Sequence, residues 1–142
     1  MTQLHFPHIE GKAIEIIETI LHTKEVISLG EEWSDIRLVI EELVINIVDY
    51  AYSDGTNDYL DVEISCTEEQ ITLRFRDGGV PFNPLQQEPP DTSIPMKQRS
   101  IGGLGIFMVS KKMDAMSYEY TNGENVLTVS KNINIPSSNI NA

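Results

Sequence analysis

The longest apolar-periodic segment of the chain covers residues 33–52, WSDIRLVIEELVINIVDYAY, and it limits the folds open to the protein. Its apolar residues recur at helical spacing around most of the circumference, which predicts a helix with Ser34 or Asp35 as its N-cap. Turn-forming residues follow at 53–58. Because a helix this apolar buries most of its surface, the rest of the chain has to supply a layer that covers it.

Four other segments alternate apolar and polar residues with a period of two, which is typical of half-buried strands. They form two pairs, 59–65 with 70–76 and 115–121 with 125–131. The first pair is joined by the short segment 67–69 and the second by Asn122-Gly123, a dipeptide typical of two-residue hairpin turns. Both pairs therefore predict antiparallel hairpins, and a weaker alternation at 2–6 predicts a short edge strand.

Two further segments, 9–24 and 106–113, have the apolar spacing of amphipathic helices. The order helix, helix, strand, strand, loop, helix, strand, strand predicts an α/β (α+β) two-layer sandwich. Its helices are expected to pack on one face of a mixed, mostly antiparallel sheet. We expect residues 1–132 to form this single domain and residues 133–142, rich in Asn and Ser, to form a flexible tail.

The charge balance argues against two classes of partner. The 142 residues include 22 acidic and 10 basic side chains, a formal net charge of −12, so binding to nucleic acid or to anionic membranes is not expected. The single cysteine, Cys66, excludes an intramolecular disulfide and fits a reducing compartment. Since no run approaches ~20 apolar residues and the N-terminus lacks the pattern of a signal peptide, we expect a cytoplasmic protein.

The first candidate site is a polar stripe on the helix 33–52. Glu42, Asn46 and Asp49 lie within about 60° of one another around the helix axis, and Asp35 falls on the same stripe. A stripe of carboxylates and amides without a cation suits a hard divalent ion, and a carboxylate one turn from an amide suits general base chemistry. The alternative is that the stripe is simply the solvated face of the helix.

The second candidate is Asp77-Gly78-Gly79, at the end of the strand 70–76. Glycines there permit positive φ and the close approach of another group to the backbone, and the carboxylate can accept a hydrogen bond from an exocyclic amine. The alternative is a turn capped by the aspartate side chain.

The third candidate is the glycine-rich turn Gly102-Gly103-Leu104-Gly105, which precedes a helix. Free backbone N–H groups and the positive end of a helix dipole attract phosphate, and Arg99 adds a cation just before the turn. The turn matches neither the P-loop nor the dinucleotide fingerprint. It follows a long proline-rich loop, residues 83–101, and loops of this length are functional or disordered.

Taken together and in this order, the motifs resemble the GHKL (Bergerat-fold) ATPases, the fold shared by gyrase, histidine kinases and mismatch-repair ATPases. The residues of the motifs are similar to those of bacterial anti-sigma-factor serine/threonine kinases. The stretches that carry the resemblance are EELVINIVDYAY at 41–52, DGGVPFNP at 77–84, IGGLGI at 101–106 and LTV at 127–129. The resemblance covers roughly residues 4–132.

The resemblance implies a role for each matching residue. Glu42 would be the general base, and Asn46 would hold the Mg²⁺ that accompanies ATP. Asp77 would accept a hydrogen bond from the adenine amino group, Gly79 would let the base lie against the backbone, and residues 83–101 would form the ATP lid. The remaining nucleotide-binding residues would be Asp49, Arg99, Gly102, Gly103, Leu104, Gly105 and Thr128, with Thr128 lining the adenine pocket.

The resemblance also implies a function and partners. The protein would be an ATP-binding serine/threonine kinase that phosphorylates an anti-anti-sigma (STAS-like) antagonist and sequesters a sigma factor. The helix 9–24 would offer a surface for a homodimer; the alternative is that its apolar face is filled by the domain's own sheet. The alternative function is an ATP-gated protein-binding module without physiological kinase activity. Two departures from the pattern bear on this choice: Asp49-Tyr50 replaces a basic residue or a histidine, and Pro81 replaces a glycine.

Overall fold

The computed structural model describes residues 1–52, 58–86 and 103–133 of the chain. These residues form one five-stranded sheet with four helices. The strands are β1 (Thr2–Pro7), β2 (Tyr59–Cys66), β3 (Gln70–Asp77), β4 (Ala115–Thr121) and β5 (Glu124–Asn132). The helices are α1 (Ala13–Leu21), α2 (Lys24–Ile27), α3 (Trp33–Tyr50) and α4 (Gly103–Lys112), and a short 3-10 turn covers Pro84–Gln86.

The strand order is β1-β2-β3-β5-β4, and all four pairings among the described strands are antiparallel. The α+β sandwich predicted from the sequence is thus confirmed, whereas the expectation of some parallel pairing is wrong. The last strand, β5, lies between β3 and β4 because the chain passes from β3 through α4 to the sheet edge before it turns back. This arrangement places the ends of β3 and β5 side by side.

The core lies between the helices and one face of the sheet. Residues of β2, β3 and β5 at alternate positions are buried there, and α3 supplies the opposing layer. The buried strand residues are Leu60, Val62, Ile64, Ile71, Leu73, Phe75, Leu127 and Val129, and those of α3 are Ile36, Val39, Ile40, Leu43, Val44 and Ile47. The other face of the sheet carries polar side chains such as Glu63, Arg74 and Thr128, which are adjacent in register.

The N-terminal helix is shorter than predicted. Gly11 has φ +73°, a left-handed conformation that a helix cannot include, so α1 begins at Ala13. The backbone of Thr23 is extended and interrupts the helix before α2. The apolar face of α1 is buried in the domain's own core through Ile16, Ile17, Ile20 and Leu21.

The turns and helix ends differ in smaller ways from prediction. The Asn-Gly hairpin is confirmed, since Asn122 and Gly123 join β4 to β5 with φ of 54° and 78°. The last helix begins three residues earlier than the pattern predicts, at Gly103. The N-cap of α3 is Glu32 instead of Ser34 or Asp35, and Asp35 pairs with two lysines. The lid segment beyond residue 86 and the tail beyond 133 lie outside the described residues.

Within the three described ranges, none of the helices has the length and apolar character needed to cross a bilayer.

Candidate functional site

A cavity of about 250 Å³ opens between the C-terminal half of α3 and the ends of β3 and β5. Most of its wall is apolar or aromatic, and its polar lining residues are Asn46, Asp77 and Asn125 together with tyrosine hydroxyls. The apolar and aromatic lining residues are Leu43, Ile47, Tyr50, Ala51, Phe75, Val80, Pro81, Phe82, Pro84, Tyr118 and Leu127. An apolar cavity with a few fixed polar groups is typical of a small-molecule site.

Asp77 lines this cavity and is 5% exposed. Its Oδ1 accepts hydrogen bonds from the backbone N–H of Gly79, at 2.9 Å, and from Nδ2 of Asn125, at 3.0 Å. Burial raises the pKa of this carboxyl, and these two hydrogen bonds work in the opposite direction. Because both bonds formed by described residues use Oδ1, Oδ2 remains to accept one from a ligand. The carboxylate therefore caps the turn, which is the alternative interpretation given for Asp77-Gly78-Gly79, and it also faces the cavity.

The two glycines after Asp77 serve close packing. Neither has a positive φ, so that part of the expectation is wrong. A Cβ on Gly79 would lie 2.1 Å from the carbonyl oxygen of Ala51, and Val80 N–H donates to that same oxygen at 2.9 Å. A Cβ on Gly78 would meet the ring of Tyr59 at 2.8 Å. The expected close approach is thus the approach of the turn to the end of α3.

Tyr52, which follows the end of α3, holds the turn from the other side. Its hydroxyl donates to the carbonyl of Tyr59, at 2.6 Å, and accepts from the N–H of Gly78, at 2.7 Å. Burial raises the pKa of Tyr52, so the hydroxyl remains protonated and able to donate. One side chain thereby joins α3, β2 and the end of β3.

Asn125 is a site residue that the sequence analysis missed. Its Nδ2 donates to Asp77 and to the carbonyl of Val80, at 2.9 Å, while its Oδ1 accepts from Phe82 N–H, at 3.0 Å, and from the hydroxyl of Tyr118. The signal was available, because Asn125 alternates with Leu127 and Val129 and so points to the same, buried face of β5. A polar residue at such a position needs partners, and Asn125 finds them around Asp77.

The polar stripe of α3 continues away from Asp77 toward α4. Asn46 lines the cavity, and Glu42, one turn earlier, is half-buried. A Cβ on Gly105 would lie 2.2 Å from Oε2 of Glu42, so this carboxylate rests against the first turns of α4. From Ala51 to Glu42 the helix rises about 14 Å, a span comparable with an extended nucleoside triphosphate. The structure therefore brings Glu42 against the start of α4, while Asn46, one turn later on α3, lines the same cavity as Asp77.

The other members of the stripe behave differently. Asp49 is exposed and is not among the residues that line the cavity. Asp35 contacts Nζ of Lys112 at 3.2 Å and Nζ of Lys131 at 3.7 Å, so it joins α3 to α4 and β5. The expectation of a stripe without cations is therefore wrong at its N-terminal end.

A divalent ion fits this site only as a companion of phosphate. The described residues contain no group of three or more His, Cys, Asp or Glu side chains arranged to hold a metal. Asn46 offers a single amide oxygen at the cavity, and Mg²⁺ commonly takes one or two protein ligands and completes its shell with phosphates and water. The donor set suits magnesium that arrives with a nucleotide.

Thr128 does not line the cavity, and that expectation is wrong. It lies on the open face of the sheet, where its Oγ1 accepts a hydrogen bond from Nε of Arg74 at 3.3 Å. The physical reason is the pleat: Thr128 lies between the buried Leu127 and Val129 and therefore points to the other face. The polar residue of β5 that lines the cavity is Asn125 instead of Thr128.

The remaining predicted residues are Arg99 and the residues of the glycine-rich turn before and at the start of α4. Gly103 begins α4, and Leu104 lies in its first turn. Arg99 and Gly102 lie outside the described residues.

Comparison with known proteins agrees with this geometry. The serine/threonine-protein kinase BtrW of Bordetella bronchiseptica is 27% identical over 114 residues, which cover 77% of this chain and 80% of that protein. The anti-sigma F factor of Clostridium perfringens is 28% identical over 107 residues, covering 73% and 75%. The serine-protein kinase RsbW of Listeria monocytogenes is 28% identical over 101 residues, covering 68% of this chain and 64% of that protein.

The fold has relatives among solved structures as well. The mycobacterial sensor histidine kinase MprB superposes with a TM-score of 0.55 at 10% identity, and the superposition covers 95% of this chain and 100% of that one. A family model described as the histidine kinase-like ATPase domain matches residues 11–131. That match spans the helix of Glu42 and Asn46, the turn at Asp77 and the start of α4. The chain belongs to the histidine kinase-like ATPase domain family.

Proposed function

We propose that this protein is a magnesium-dependent serine/threonine protein kinase of the anti-sigma-factor type. It would bind ATP in the cavity beside Asp77 and transfer the γ-phosphoryl group to a serine or threonine of an anti-anti-sigma (STAS-like) antagonist. When that antagonist is not available, it would hold a sigma factor. Two kinds of support carry this proposal: the geometry of the site, and the names of the relatives, which include two serine or serine/threonine kinases and an anti-sigma factor.

The observation on which the proposal most depends is the buried carboxylate of Asp77 in the wall of an apolar cavity. A carboxylate in such a place is costly to bury unless donors surround it, and Asn125 and Gly79 donate only to Oδ1. A base with an exocyclic amine can donate to Oδ2 while its ring contacts the apolar wall. Adenine has both features.

The residues proposed to act at the phosphates are Asn46 and Glu42, which lie on α3 on the N-terminal side of the turn at Asp77. Glu42 would accept the proton of the attacking hydroxyl as the new bond to the γ-phosphorus forms and the bond to the β-phosphate oxygen breaks. Magnesium bound with ATP would neutralise charge on the phosphates, with Asn46 as its protein ligand. The start of α4 would contribute backbone N–H groups to the phosphates.

A binding and transfer experiment tests the proposal with two variants. ATP affinity is measured by calorimetry with and without Mg²⁺, and phosphoryl transfer is measured with labelled ATP on purified STAS-like antagonist proteins. Asn46→Ala should lose most of the magnesium-dependent part of the affinity, because it removes the amide oxygen that would bind Mg²⁺. Glu42→Gln should bind ATP nearly as wild type does and lose phosphoryl transfer by about a hundred-fold or more, since general base catalysis contributes about that much.

Two results would contradict the proposal. Absence of ATP binding by the wild type at millimolar concentration would remove the nucleotide site altogether. ATP binding without transfer to any antagonist, in the wild type as in Glu42→Gln, would favour the ATP-gated binding module instead.

A further inference from the structure

The side chain of Asn125 has every hydrogen-bonding position engaged. The two acceptor positions of Oδ1 are taken by Phe82 N–H and the hydroxyl of Tyr118. The two hydrogens of Nδ2 point at Asp77 Oδ1 and Val80 O, with Gly79 O further away at 3.4 Å. Because the backbone partners include both an N–H and a C=O, only one orientation of the amide satisfies all of them. Asn125 is 6% exposed and has no capacity left for a ligand.

We propose that Asn125 is a positioning residue for nucleobase selection, which holds Asp77 with Oδ1 occupied and Oδ2 free and fixes residues 79–82 at the cavity edge. The consequence is a preference for 6-aminopurine over 6-oxopurine nucleotides. This inference rests on the proposed function, because it concerns the same cavity. It adds a residue of β5, which positions Asp77, to the site residues predicted from the motifs of α3, β3 and α4.

The preference follows from the chemistry of the two bases. An ionised Asp77 only accepts, so the amino group of adenine can donate to Oδ2. The 6-oxo group of hypoxanthine or guanine is an acceptor, and it would face the carboxylate acceptor to acceptor. A protonated Asp77 would reverse this, because its hydroxyl can donate to the 6-oxo group. Selection therefore requires both the orientation and the ionisation of Asp77.

Asn125 supports that ionisation through its hydrogen bond to Oδ1. The other titratable groups that face Asp77 are Glu124 on β5, Tyr52 after α3 and Tyr118 on β4. Burial raises the pKa of Asp77, and the nearby Glu124 adds to this in smaller measure, whereas the donors Asn125 and Gly79 lower it. Without Asn125 the pKa of Asp77 rises further, so a larger fraction is protonated at a given pH. ATP affinity should then fall at a higher pH than in the wild type.

The experiment compares ATP and inosine triphosphate, which share their phosphates, across a pH series with Mg²⁺ present. Asn125→Ala should weaken ATP binding by about ten-fold to a hundred-fold and inosine triphosphate binding much less. The midpoint of the loss of ATP affinity on acidification should move to higher pH. Tyr118→Phe removes one donor to Oδ1 of Asn125. It should reduce the selectivity for ATP over inosine triphosphate and raise the pH midpoint, in both cases by less than Asn125→Ala does. Ser130→Ala, on the open face of β5, is the matched control and should change neither quantity.

The outcomes separate the inference from the function on which it rests. Equal weakening of both nucleotides in Asn125→Ala, with an unchanged midpoint, would mean a purely structural role and overturn the inference while ATP binding stands. If Asn125→Ala does not fold, an unchanged selectivity and midpoint in Tyr118→Phe would overturn it in the same way. If the wild type binds no ATP, the proposed function fails, and the inference fails with it.

Discussion

Two glycines of the site have different neighbours at the place where a side chain would begin. At Gly79 an added Cβ would lie 2.1 Å from the carbonyl oxygen of Ala51. Ala51 directly follows α3, so its backbone cannot move away without disturbing the end of the helix. At Gly105 an added Cβ would meet the end of the Glu42 side chain, at 2.2 Å from Oε2, and that end can rotate. The same added methyl group should therefore affect the fold at one position and the chemistry at the other.

Gly79→Ala is expected to lower the melting temperature markedly and to abolish ATP binding, because the turn must move off α3. Gly105→Ala should leave the melting temperature within a few degrees of wild type but displace the Glu42 carboxylate and reduce phosphoryl transfer by about ten-fold or more. Gly30→Ala serves as the control, since nothing lies within 4 Å of its added Cβ. Thermal unfolding and a transfer assay measure the three variants. Equal melting temperatures for Gly79→Ala and Gly105→Ala would contradict the distinction.

At the scale of elements, α3 organises the site because four other elements are joined to its two ends. Its C-terminal end is tied to β2 and to the end of β3 through the hydroxyl of Tyr52. Its N-terminal end is tied to α4 and β5 through Asp35, whose ion pairs with Lys112 and Lys131 are partly exposed and therefore weak. The hydrogen bonds of Tyr52 are the firmer link, and they hold the turn that carries Asp77.

Tyr52→Phe tests that link. The substitution leaves the N–H of Gly78 and the carbonyl of Tyr59 without their partner, and an unpaired group in a part-buried position costs about 1–3 kcal/mol. We expect the free energy of unfolding to fall by that amount in urea titrations, and ATP affinity to fall with it because the turn loosens. Tyr120→Phe removes the hydroxyl of an exposed tyrosine and should change neither. A Tyr52→Phe protein as stable as wild type would show that the turn is held by other contacts.

At the scale of the whole molecule, the sheet has two faces with different roles. One face is covered by helices and contains the cavity, with Asp77 and Asn125 at its edge. The other carries alternating charges and hydroxyls, with Arg74 contacting Glu63 at 3.7 Å and Thr128 at 3.3 Å. Since β-strand side chains alternate strictly, neighbours in the sequence can lie on opposite faces. A ligand in the cavity contacts α3 and the ends of β3 and β5 together, so its binding should stabilise the entire domain.

A thermal-shift experiment distinguishes the two faces. ATP with Mg²⁺ at about 100 times its dissociation constant adds about 2.7 kcal/mol of stability, which corresponds to a rise of about 5–10 °C for a domain of this size. Thr128→Val should retain this rise in full, because Thr128 is on the open face. Asp77→Asn should lose most of it, since an amide in place of the carboxylate no longer accepts strongly from the adenine amine. A rise that disappears in Thr128→Val would restore Thr128 to the nucleotide site.

Local patterns in the sequence accounted for most of the fold. Helical periodicity located α3, and period-two alternation located the strands of both hairpins to within one or two residues. The Asn-Gly dipeptide identified the turn between β4 and β5, because its backbone preference is a property of the two residues themselves. The polar stripe of Glu42 and Asn46 and the segment Asp77-Gly78-Gly79 were found in the same way. The error at Thr128 arose where the resemblance was followed against the strand's own alternation.

The tertiary structure alone decided which of these residues meet. Tyr52 contacts Gly78, and Asn125 contacts Asp77, across sequence separations of 26 and 48 residues. Neither contact follows from a local pattern: the first depends on the packing of α3 against the end of β3, and the second on the strand order that places β5 beside β3. The same order determines that Oδ1 of the buried Asp77 is paired with Asn125, which leaves Oδ2 without a donor among the described residues. The physical reason is that a hydrogen bond to a distant residue forms only after packing of the apolar faces has brought the two strands together, whereas helix, strand and turn preferences act between near neighbours in the chain.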